Sequence, residues 1–385
     1  MCPTDSITEP ERCTKVVIAP DSFKGTASAQ QAAQWLGEGV RSIIKDADIY
    51  LAPMGDGGEG TSELFAGERI TLPTTDAAGR LTEASYTFDP ATHTAYIDIA
   101  AASGLPAVAD NPVPLTGDTY GTGVLIADAQ TRGATRVVLG LGGSATIDGG
   151  TGILVALGAN PIDAHGHQLK PGGGALVDIA DLDTAKVNTP AGAMEWVLLA
   201  DSTAPATGQQ GAAAVFGPQK GASADDVAVL DRGMAALCRA SGIDPSIPGM
   251  GAAGGAAIGI TWLSSLLHGD NTHVHIVRGS RVVAESNGLA ELITDAALVI
   301  TGEGRFDAQT ATGKVASTVF DLVEEHNPEA VIAVAAGTFE QETTQVVGRD
   351  IIAVPLADVA DTEEQLTRAG AQIAVAYLST ATVQG

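Results

Sequence analysis

Three separated turns hold most of the residues that could carry chemistry in this chain. Each turn follows an apolar, β-branched run and combines glycine with hydroxyl and charged side chains, at 18–25, 140–150 and 301–307. Loops that leave the carboxyl ends of parallel strands line the ligand crevice of an α/β sheet. The pattern therefore predicts one site, assembled from all three turns, that handles a phosphate or another small anion.

The middle turn predicts a cradle for the anion. Its five central residues are Gly142, Gly143, Ser144, Ala145 and Thr146. They carry two hydroxyls and no charge, and a predicted helix begins near Thr151, so backbone N–H groups and a helix N-terminus could face one ligand. A tight strand–helix turn without a ligand is the alternative.

The first and last turns supply charge. Lys24 could neutralise a phosphate or carboxylate as a point charge, and Arg305 offers a planar fork to the same groups. Glu303 or Asp307 could hold Mg²⁺. Lys314, after a glycine, is a second candidate for phosphate contact. The alternatives are an exposed lysine and an Arg305–carboxylate ion pair that only shapes its loop.

Two acidic residues and one further lysine complete the candidates. Asp201 ends a predicted buried strand, where it could act as a general base, or it could form an N-cap or Asx-turn. Lys220 lies in another loop. The turn Gly55–Gly60 matches a dinucleotide fingerprint, which favours a nicotinamide enzyme. Asp56 and Glu59 would repel a pyrophosphate there, so Asp56 suits a metal ion better.

Composition excludes several classes of partner. The net charge of −26 argues against nucleic acid and anionic membrane surfaces. Three cysteines form neither a metal spacing nor a disulfide framework, which fits a reducing cytoplasm. The pairs His165/His167 and His273/His275 are interpreted as solvated histidines rather than a zinc set. The charge-free run 250–267 is interpreted as a glycine-rich loop and a buried helix, not a membrane span.

Strand and helix patterns alternate at both ends of the chain, which predicts an α/β fold with a parallel sheet. Period-2 segments around 85–88 and 94–99 predict a hairpin, and helices are predicted over 224–241 and 285–293. After a flexible tail (1–14), residues 15–69 and 288–385 are expected to form a discontinuous Rossmann-like domain. A second α/β domain (70–287) is expected to be inserted between them.

Seven blocks in order give the chain a family resemblance. They are IAPDSFKG, PMGDGGEGT, TYGTG, GLGGSATIDGG, AAVFGPQKGA, GAAGGAAIG and TGEGRFDAQT. This set resembles the type I glycerate kinases and covers nearly the whole chain. The resemblance implies two α/β domains with the active site in the cleft between them, Mg²⁺ and ATP as cofactors, and D-glycerate as substrate. Three positions depart from the family pattern: Gly55 replaces Ala, Ile147 replaces Asn and Ala204 replaces Asn.

The resulting hypothesis is in-line transfer of the ATP γ-phosphoryl group to a glycerate hydroxyl, with 2-phosphoglycerate favoured as the product. The expected contacts are phosphates at Gly142–Thr146, Lys220 and Lys314; substrate at Asp21, Ser22, Lys24, Arg305 and Asp307; and Mg²⁺ at Asp56 and Glu303. Asp201 and Lys24 are the expected catalytic residues. The alternatives are phosphorylation at the 3-position, a nicotinamide-dependent hydroxy-acid oxidoreductase and a non-catalytic anion-binding module. A homodimer is a further expectation.

Overall fold

The structure is a computed structural model that describes residues 13–306, 315–339, 350–356 and 361–381. Two compact units divide the chain. The terminal unit comprises Met1–Met54 and Ala284–Gly385, and the central unit comprises Gly55–Val283. The predicted boundaries near residues 69 and 287 therefore differ from the observed ones. The segment 55–69 belongs to the central unit because its glycine-rich turn and the strand after it are hydrogen-bonded there.

Strands and helices are numbered in chain order. The strands are β1 (Lys15–Ile18), β2 (Asp48–Leu51), β3 (Glu68–Thr75), β4 (Leu81–Asp89), β5 (Thr94–Asp98), β6 (Arg136–Gly140), β7 (Asn160–Ile162), β8 (Asp181–Asp183), β9 (Glu195–Leu199), β10 (Val274–Val277), β11 (Leu298–Phe306), β12 (Val331–Phe339) and β13 (Ile352–Pro355). The α-helices are α1 (Ala29–Ile43), α2 (Ile99–Ser103), α3 (Tyr120–Thr131), α4 (Thr151–Ala156), α5 (Thr189–Gly192), α6 (Ala212–Phe216), α7 (Ala224–Ser241), α8 (Ala256–His268), α9 (Gly279–Ser286), α10 (Leu289–Ile293), α11 (Val315–His326) and α12 (Thr362–Ala381). Short 3₁₀ segments span Thr61–Leu64, Pro106–Val108, Gly173–Asp178, Pro218–Lys220 and Ala252–Gly254.

The terminal unit contains a parallel five-stranded sheet in the order β13-β12-β11-β1-β2. Alternate residues of β12 pack on opposite faces, as the period of a strand requires. Ala333 and Ala335 join the core beneath α1 and α12, whereas Val334 and Ala336 pack with α11 residues. Helices therefore cover both faces of this sheet, and the predicted α/β class with parallel strands is confirmed.

Helices α1 and α12 pack together at unusually short range. A Cβ on Gly39 would lie 2.0 Å from the carbonyl oxygen of Thr367, and one on Gly370 would lie 2.2 Å from that of Leu36. Only glycine permits this approach, so these two positions specify how the helices cross. Helix α1 begins with a capping box in which Ser28 and Gln31 satisfy each other's backbone N–H groups.

The central unit contains a six-stranded mixed sheet in the order β10-β9-β6-β5-β4-β3, with a separate pair β7-β8. Strands β5, β6, β9 and β10 run parallel, and β3 and β4 are antiparallel additions. The predicted hairpin corresponds to β4 and β5. The two edge strands, β3 and β10, were not predicted. Pro73 lies within β3, and an edge strand tolerates proline because one side of it lacks a hydrogen-bonding neighbour.

The core of the central unit is built largely from aliphatic side chains around Trp196 and Tyr86, both fully buried. Helix α8 lies inside this core, so the run 250–267 is a glycine-rich turn followed by a buried helix, as predicted. In the described part of the chain, no helix has both the length and the apolar character to cross a membrane. The helix predicted over 285–293 is split into α9 and α10 by Gly288, whose φ is +62°.

Candidate active site

A cavity of about 170 Å³ lies in the central unit, where the chain leaves β6 and β9. Six of its lining residues were predicted from the sequence: Asp56, Gly142, Gly143, Ser144, Asp201 and Lys220. Loops at the carboxyl ends of adjacent parallel strands therefore meet here, as expected for an α/β sheet. The cavity combines one ammonium group, two carboxylates and a glycine-rich turn.

The turn that follows β6 packs tightly against the turn Gly55–Gly60. The N–H of Gly142 donates to the carbonyl of Gly57 over 2.8 Å, and a Cβ on Gly142 would lie 2.6 Å from Gly58 Cα. A Cβ on Gly57 would in turn lie 2.8 Å from Leu199 Cβ. Close packing thus accounts for Gly57 and Gly142, so Gly57 is explained without a bound dinucleotide. A Cβ on Gly60 would meet no atom within 4 Å, but its φ of +84° favours glycine.

Lys220 is the basic residue that holds the turn after β6. Its Nζ donates to Ser144 Oγ over 2.8 Å and to the carbonyl oxygen of Thr146 over 2.7 Å. Both partners are neutral oxygens, and an ammonium has a third proton to donate. The side chain is buried, and this burial lowers the pKa of Lys220 to about 7, although Asp148 opposes the effect. A buried ammonium that lines a cavity is a suitable partner for an anion.

Asp148 fixes the far end of the same turn and was not predicted to have a role. Its carboxylate accepts hydrogen bonds from the N–H and Oγ1 of Thr119, at 2.9 and 2.8 Å. The N–H groups of Gly150 and Gly152 donate to it as well. Asp148 is fully buried and does not line the cavity, so it positions the turn rather than contacting a ligand.

Asp98, the last residue of β5, fixes the turn that carries Asp56. Its carboxylate accepts hydrogen bonds from Gly60 N at 3.0 Å, Ser62 N at 2.9 Å and Ser62 Oγ at 2.9 Å. Burial raises the pKa of Asp98 to about 7, and the hydrogen bonds from Ser62 and Gly60 oppose the rise. Sequence reasoning missed this residue, although a carboxylate at the end of an alternating strand was a usable signal.

Asp201 follows β9 directly and lines the cavity beside Ser202. The next helix, α6, begins at Ala212, so Asp201 is not an N-cap. Ser202 shapes this segment because its Oγ accepts a hydrogen bond from the N–H of Ala204 over 3.1 Å. The position of Asp201 is compatible with general-base chemistry on a hydroxyl bound in the cavity.

Two other candidates, Ala145 and Thr146, belong to the turn after β6 in the central unit but do not line the cavity. The remaining candidates belong to the terminal unit. Asp21, which follows β1, lies beside Glu303, which is within β11, because Asp21 N donates to the carbonyl of Gly302 over 2.9 Å. Ser22 N donates to Asp21 Oδ1, and Glu303 is buried. Lys24 and Arg305 are exposed on this unit. The predicted residues Asp307 and Lys314 lie outside the described residues.

The predicted Mg²⁺ ligands are divided between the units, since Asp56 lies in the central unit and Glu303 in the terminal unit. Within the described ranges, no group of three or more His, Cys, Asp or Glu side chains could hold a metal. Mg²⁺ in nucleotide sites, however, is usually held by one or two carboxylates together with substrate phosphates and water. Asp56 and Asp201 line the same cavity as the glycine-rich turn, so the central unit fits such a site.

Comparison with known proteins identifies the family. The model of the glycerate kinase family matches residues 16–383. The chain belongs to the glycerate kinase family. It is 37% identical over 364 residues to a glycerate kinase of Bacillus subtilis (strain 168), covering 89% of this chain and 92% of that protein. It is 38% identical over 331 residues to a glycerate 2-kinase of Escherichia coli (strain K12), covering 83% and 84%.

A solved structure agrees with this placement in the glycerate kinase family. The chain is similar to a crystal structure from Salmonella typhimurium LT2, described as a glycerate kinase 2, with a TM-score of 0.77 and 33% sequence identity. The match covers 97% of this chain and 98% of that one. The predicted family and fold class are therefore confirmed.

The three departures from the family pattern have different structural settings. Ile147 is fully buried in the core of the central unit and does not line the cavity. Ala204 also lies away from the cavity lining, and its carbonyl accepts a hydrogen bond from Gly251 N over 2.9 Å. At Gly55, a Cβ would lie 2.8 Å from Thr61 Oγ1, which itself accepts a hydrogen bond from Gly57 N. Two departures thus concern packing rather than the cavity, and the third affects the turn that carries Asp56.

Proposed function

We propose that this member of the glycerate kinase family transfers the γ-phosphoryl group of ATP to D-glycerate and releases 2-phosphoglycerate and ADP. One observation carries the proposal. The buried ammonium of Lys220 is hydrogen-bonded to Ser144 of the glycine-rich turn, and two carboxylates line the same cavity. Phosphoryl transfer depends mainly on positioning and on charge neutralisation, and this cavity offers groups for both. The name glycerate 2-kinase of the Escherichia coli relative supports the 2-position.

The proposed step is a direct displacement. The N–H groups of Gly143 and Ser144 and the ammonium of Lys220 bind the phosphates, whereas Gly142 N and Ala145 N already donate to the carbonyls of Gly57 and Ser103. The Asp201 carboxylate accepts the proton of the glycerate hydroxyl while the hydroxyl oxygen of glycerate forms a bond to the γ-phosphorus. The bond between the γ-phosphorus and the bridging oxygen breaks, and ADP leaves with that oxygen. No covalent intermediate on the protein is required.

Mg²⁺ would be held by Asp56, with Glu303 as the second predicted ligand, and would neutralise charge on the phosphates. Asp21, Ser22, Lys24 and Arg305 are proposed to bind the glycerate carboxylate and hydroxyls, since they combine hydroxyl, carboxylate and cationic groups. Asp307 and Lys314 keep their predicted contacts with substrate and phosphate. Replacing each of these residues by alanine and measuring KM for D-glycerate and for ATP distinguishes residues that contact glycerate from residues that contact phosphate.

The decisive experiment measures ADP release by a coupled assay after addition of D-glycerate, ATP and Mg²⁺. The product is then assigned by ³¹P NMR. Turnover that yields 2-phosphoglycerate supports the proposal. Formation of 3-phosphoglycerate would show that the 3-hydroxyl is phosphorylated instead. Binding of phosphate or nucleotide without turnover would indicate an anion-binding module, and a change in nicotinamide absorbance without ATP would indicate an oxidoreductase.

The role of Asp201 is tested by Asp201→Asn. We expect kcat to fall by about 10²–10⁴-fold, the usual contribution of a positioned base, while the KM for glycerate stays near its original value. Asp178→Asn is the matched control because Asp178 is exposed and does not line the cavity. Full turnover by Asp201→Asn would remove this carboxylate from the mechanism.

We also propose that the enzyme works in the cytoplasm, where reducing conditions keep Cys13 and Cys238 as thiols. The homodimer expected from the sequence remains a proposal. Light scattering coupled to size-exclusion chromatography measures the mass in solution, and a mass near 38.7 kDa would show a monomer.

A further inference from the structure

Ala253 has a backbone conformation that is rare for a residue with a side chain. Its φ is +50° and its ψ is +39°. Among the residues that the structure describes, His93 is the other non-glycine residue with a positive φ, at +54°. The left-handed region brings the Cβ of an L-residue too close to the following carbonyl oxygen, so glycine is favoured there.

The path of the chain through Ala253 is set by its neighbours. The carbonyl of Gly254 accepts a hydrogen bond from Gly149 N over 3.0 Å. A Cβ on Gly254 would lie 2.0 Å from the carbonyl oxygen of Thr146, and one on Gly255 would lie 2.1 Å from Met234 Cε. This segment is therefore pressed against the end of the turn held by Lys220, and Ala253 must adopt the conformation that this contact requires.

A glycine at position 253 would adopt this conformation without strain, so the methyl group has another role, and part of it is packing in the apolar core of the central unit. Ala253 lines the cavity together with Asp201 and Ser202, and 8% of its surface remains accessible. The methyl group is the whole side chain of Ala253, so it is the only side-chain group of this residue that could contact a ligand.

We propose that the methyl group of Ala253 determines substrate specificity by limiting the length of the hydroxy acid that can bind. The proposal rests on the proposed glycerate kinase function. In that reaction the acceptor hydroxyl must lie within hydrogen-bond reach of Asp201. Because Ala253 lines the same cavity, its methyl group occupies space that a further hydroxymethylene unit on the acceptor would need.

The test compares D-glycerate with erythronate, which has one hydroxymethylene more, as acceptors for the parent protein and for Ala253→Gly. We expect the ratio of kcat/KM for erythronate to kcat/KM for glycerate to rise by about 10-fold or more in the variant, since one carbon unit in a pocket typically changes this ratio by 10–200-fold. The thermal midpoint should not fall, because glycine relieves the left-handed strain.

His93→Gly is the matched control. His93 is exposed in the turn between β4 and β5 and shares the positive φ, but it does not line the cavity. This variant should leave the ratio unchanged. An unchanged ratio in Ala253→Gly, or an equal loss of kcat/KM with both acids, would overturn the specificity role. If the parent releases no ADP with either acid, the proposed function itself fails, which is a distinct result.

Discussion

Two buried ionisable side chains in the central unit hold two neighbouring turns, and they do so in different ways. Asp98 holds the turn that carries Asp56 by accepting three hydrogen bonds from Gly60 and Ser62. Lys220 holds the next turn by donating to Ser144 and Thr146. Burial moves the pKa of both groups to about 7, from 3.8 for the carboxyl and from 10.5 for the ammonium.

The difference lies in what each group faces. Lys220 lines the cavity, and Asp98 does not. An anion in the cavity would therefore contact Lys220 directly and would favour its charged form. Asp98 can influence a ligand only through the position of the turn. Lys220 is therefore proposed to contact ligand and Asp98 to act as a positioning residue, although both are buried to a similar degree.

The largest expected effect comes from Lys220→Met, which keeps much of the apolar stem and removes the charge. We expect kcat/KM for ATP to fall by about 10²–10³-fold, the usual cost of removing one donor that stabilises charge in a transition state. Binding of tripolyphosphate, measured by calorimetry, should weaken as well. Lys45→Met is the matched control because Lys45 is an exposed lysine of the terminal unit. Parent-like tripolyphosphate affinity in Lys220→Met would show that the ammonium does not contact the ligand.

A smaller effect is expected from Asp98→Asn, which keeps the shape of the side chain. The substitution places an NH₂ group at a position that now accepts hydrogen bonds from Gly60 and Ser62. We expect activity or Mg²⁺ affinity to fall by about 10- to 100-fold, as is typical when a group that orients a metal ligand is changed. The Mg²⁺ concentration for half-maximal rate should rise, and tripolyphosphate binding without Mg²⁺ should stay near the parent value. Loss of metal-free tripolyphosphate binding would contradict the distinction between the two groups.

The sequence could predict much of the fold because most elements carry local information. Helix α7 has the predicted bounds, Ala224–Ser241, since a capping box begins it at Ser223 and Gly242 ends it. The edge strands β3 and β10 were missed because each lacks a buried apolar run. Pairing with the neighbouring strands β4 and β9, rather than a pattern in their own residues, makes these two segments strands.

The candidate site also contains features that have a local sequence signal and features that depend on the tertiary fold. Glycine-rich turns after apolar runs were visible in the sequence, and the structure brings six of the predicted residues to one cavity. Two of the groups that hold those turns, Asp98 and Asp148, were missed. Asp98 bonds to Gly60, 38 positions away, and Asp148 bonds to Thr119, 29 positions away. A local pattern cannot specify such pairs because the partners are backbone N–H groups whose positions depend on the tertiary fold.

Measured per unit of pH, the smallest expected effect concerns stability, and its sign differs between the two groups. Between pH 3.8 and 7 the folded protein keeps a proton on Asp98 that the unfolded chain has lost, so this group makes stability fall as pH rises. Between pH 7 and 10.5 the unfolded chain keeps a proton on Lys220 that the folded protein has lost, so stability rises with pH. Each proton contributes a slope of at most about 1.4 kcal/mol per pH unit.

Difference curves between parent and variant isolate these slopes from the general effect of the many surface carboxylates. The free energy of unfolding is measured by urea titration at several pH values. The parent-minus-variant difference for Asp98→Asn should decrease from pH 4 to 7 and then level off. The difference for Lys220→Met should be level up to about pH 7 and should increase above it. A difference for Asp98→Asn that stays level between about pH 5 and 7 would mean that the hydrogen bonds from Ser62 and Gly60 outweigh burial and hold the carboxyl ionised, in which case Asp98 would act as an ordinary buried anion.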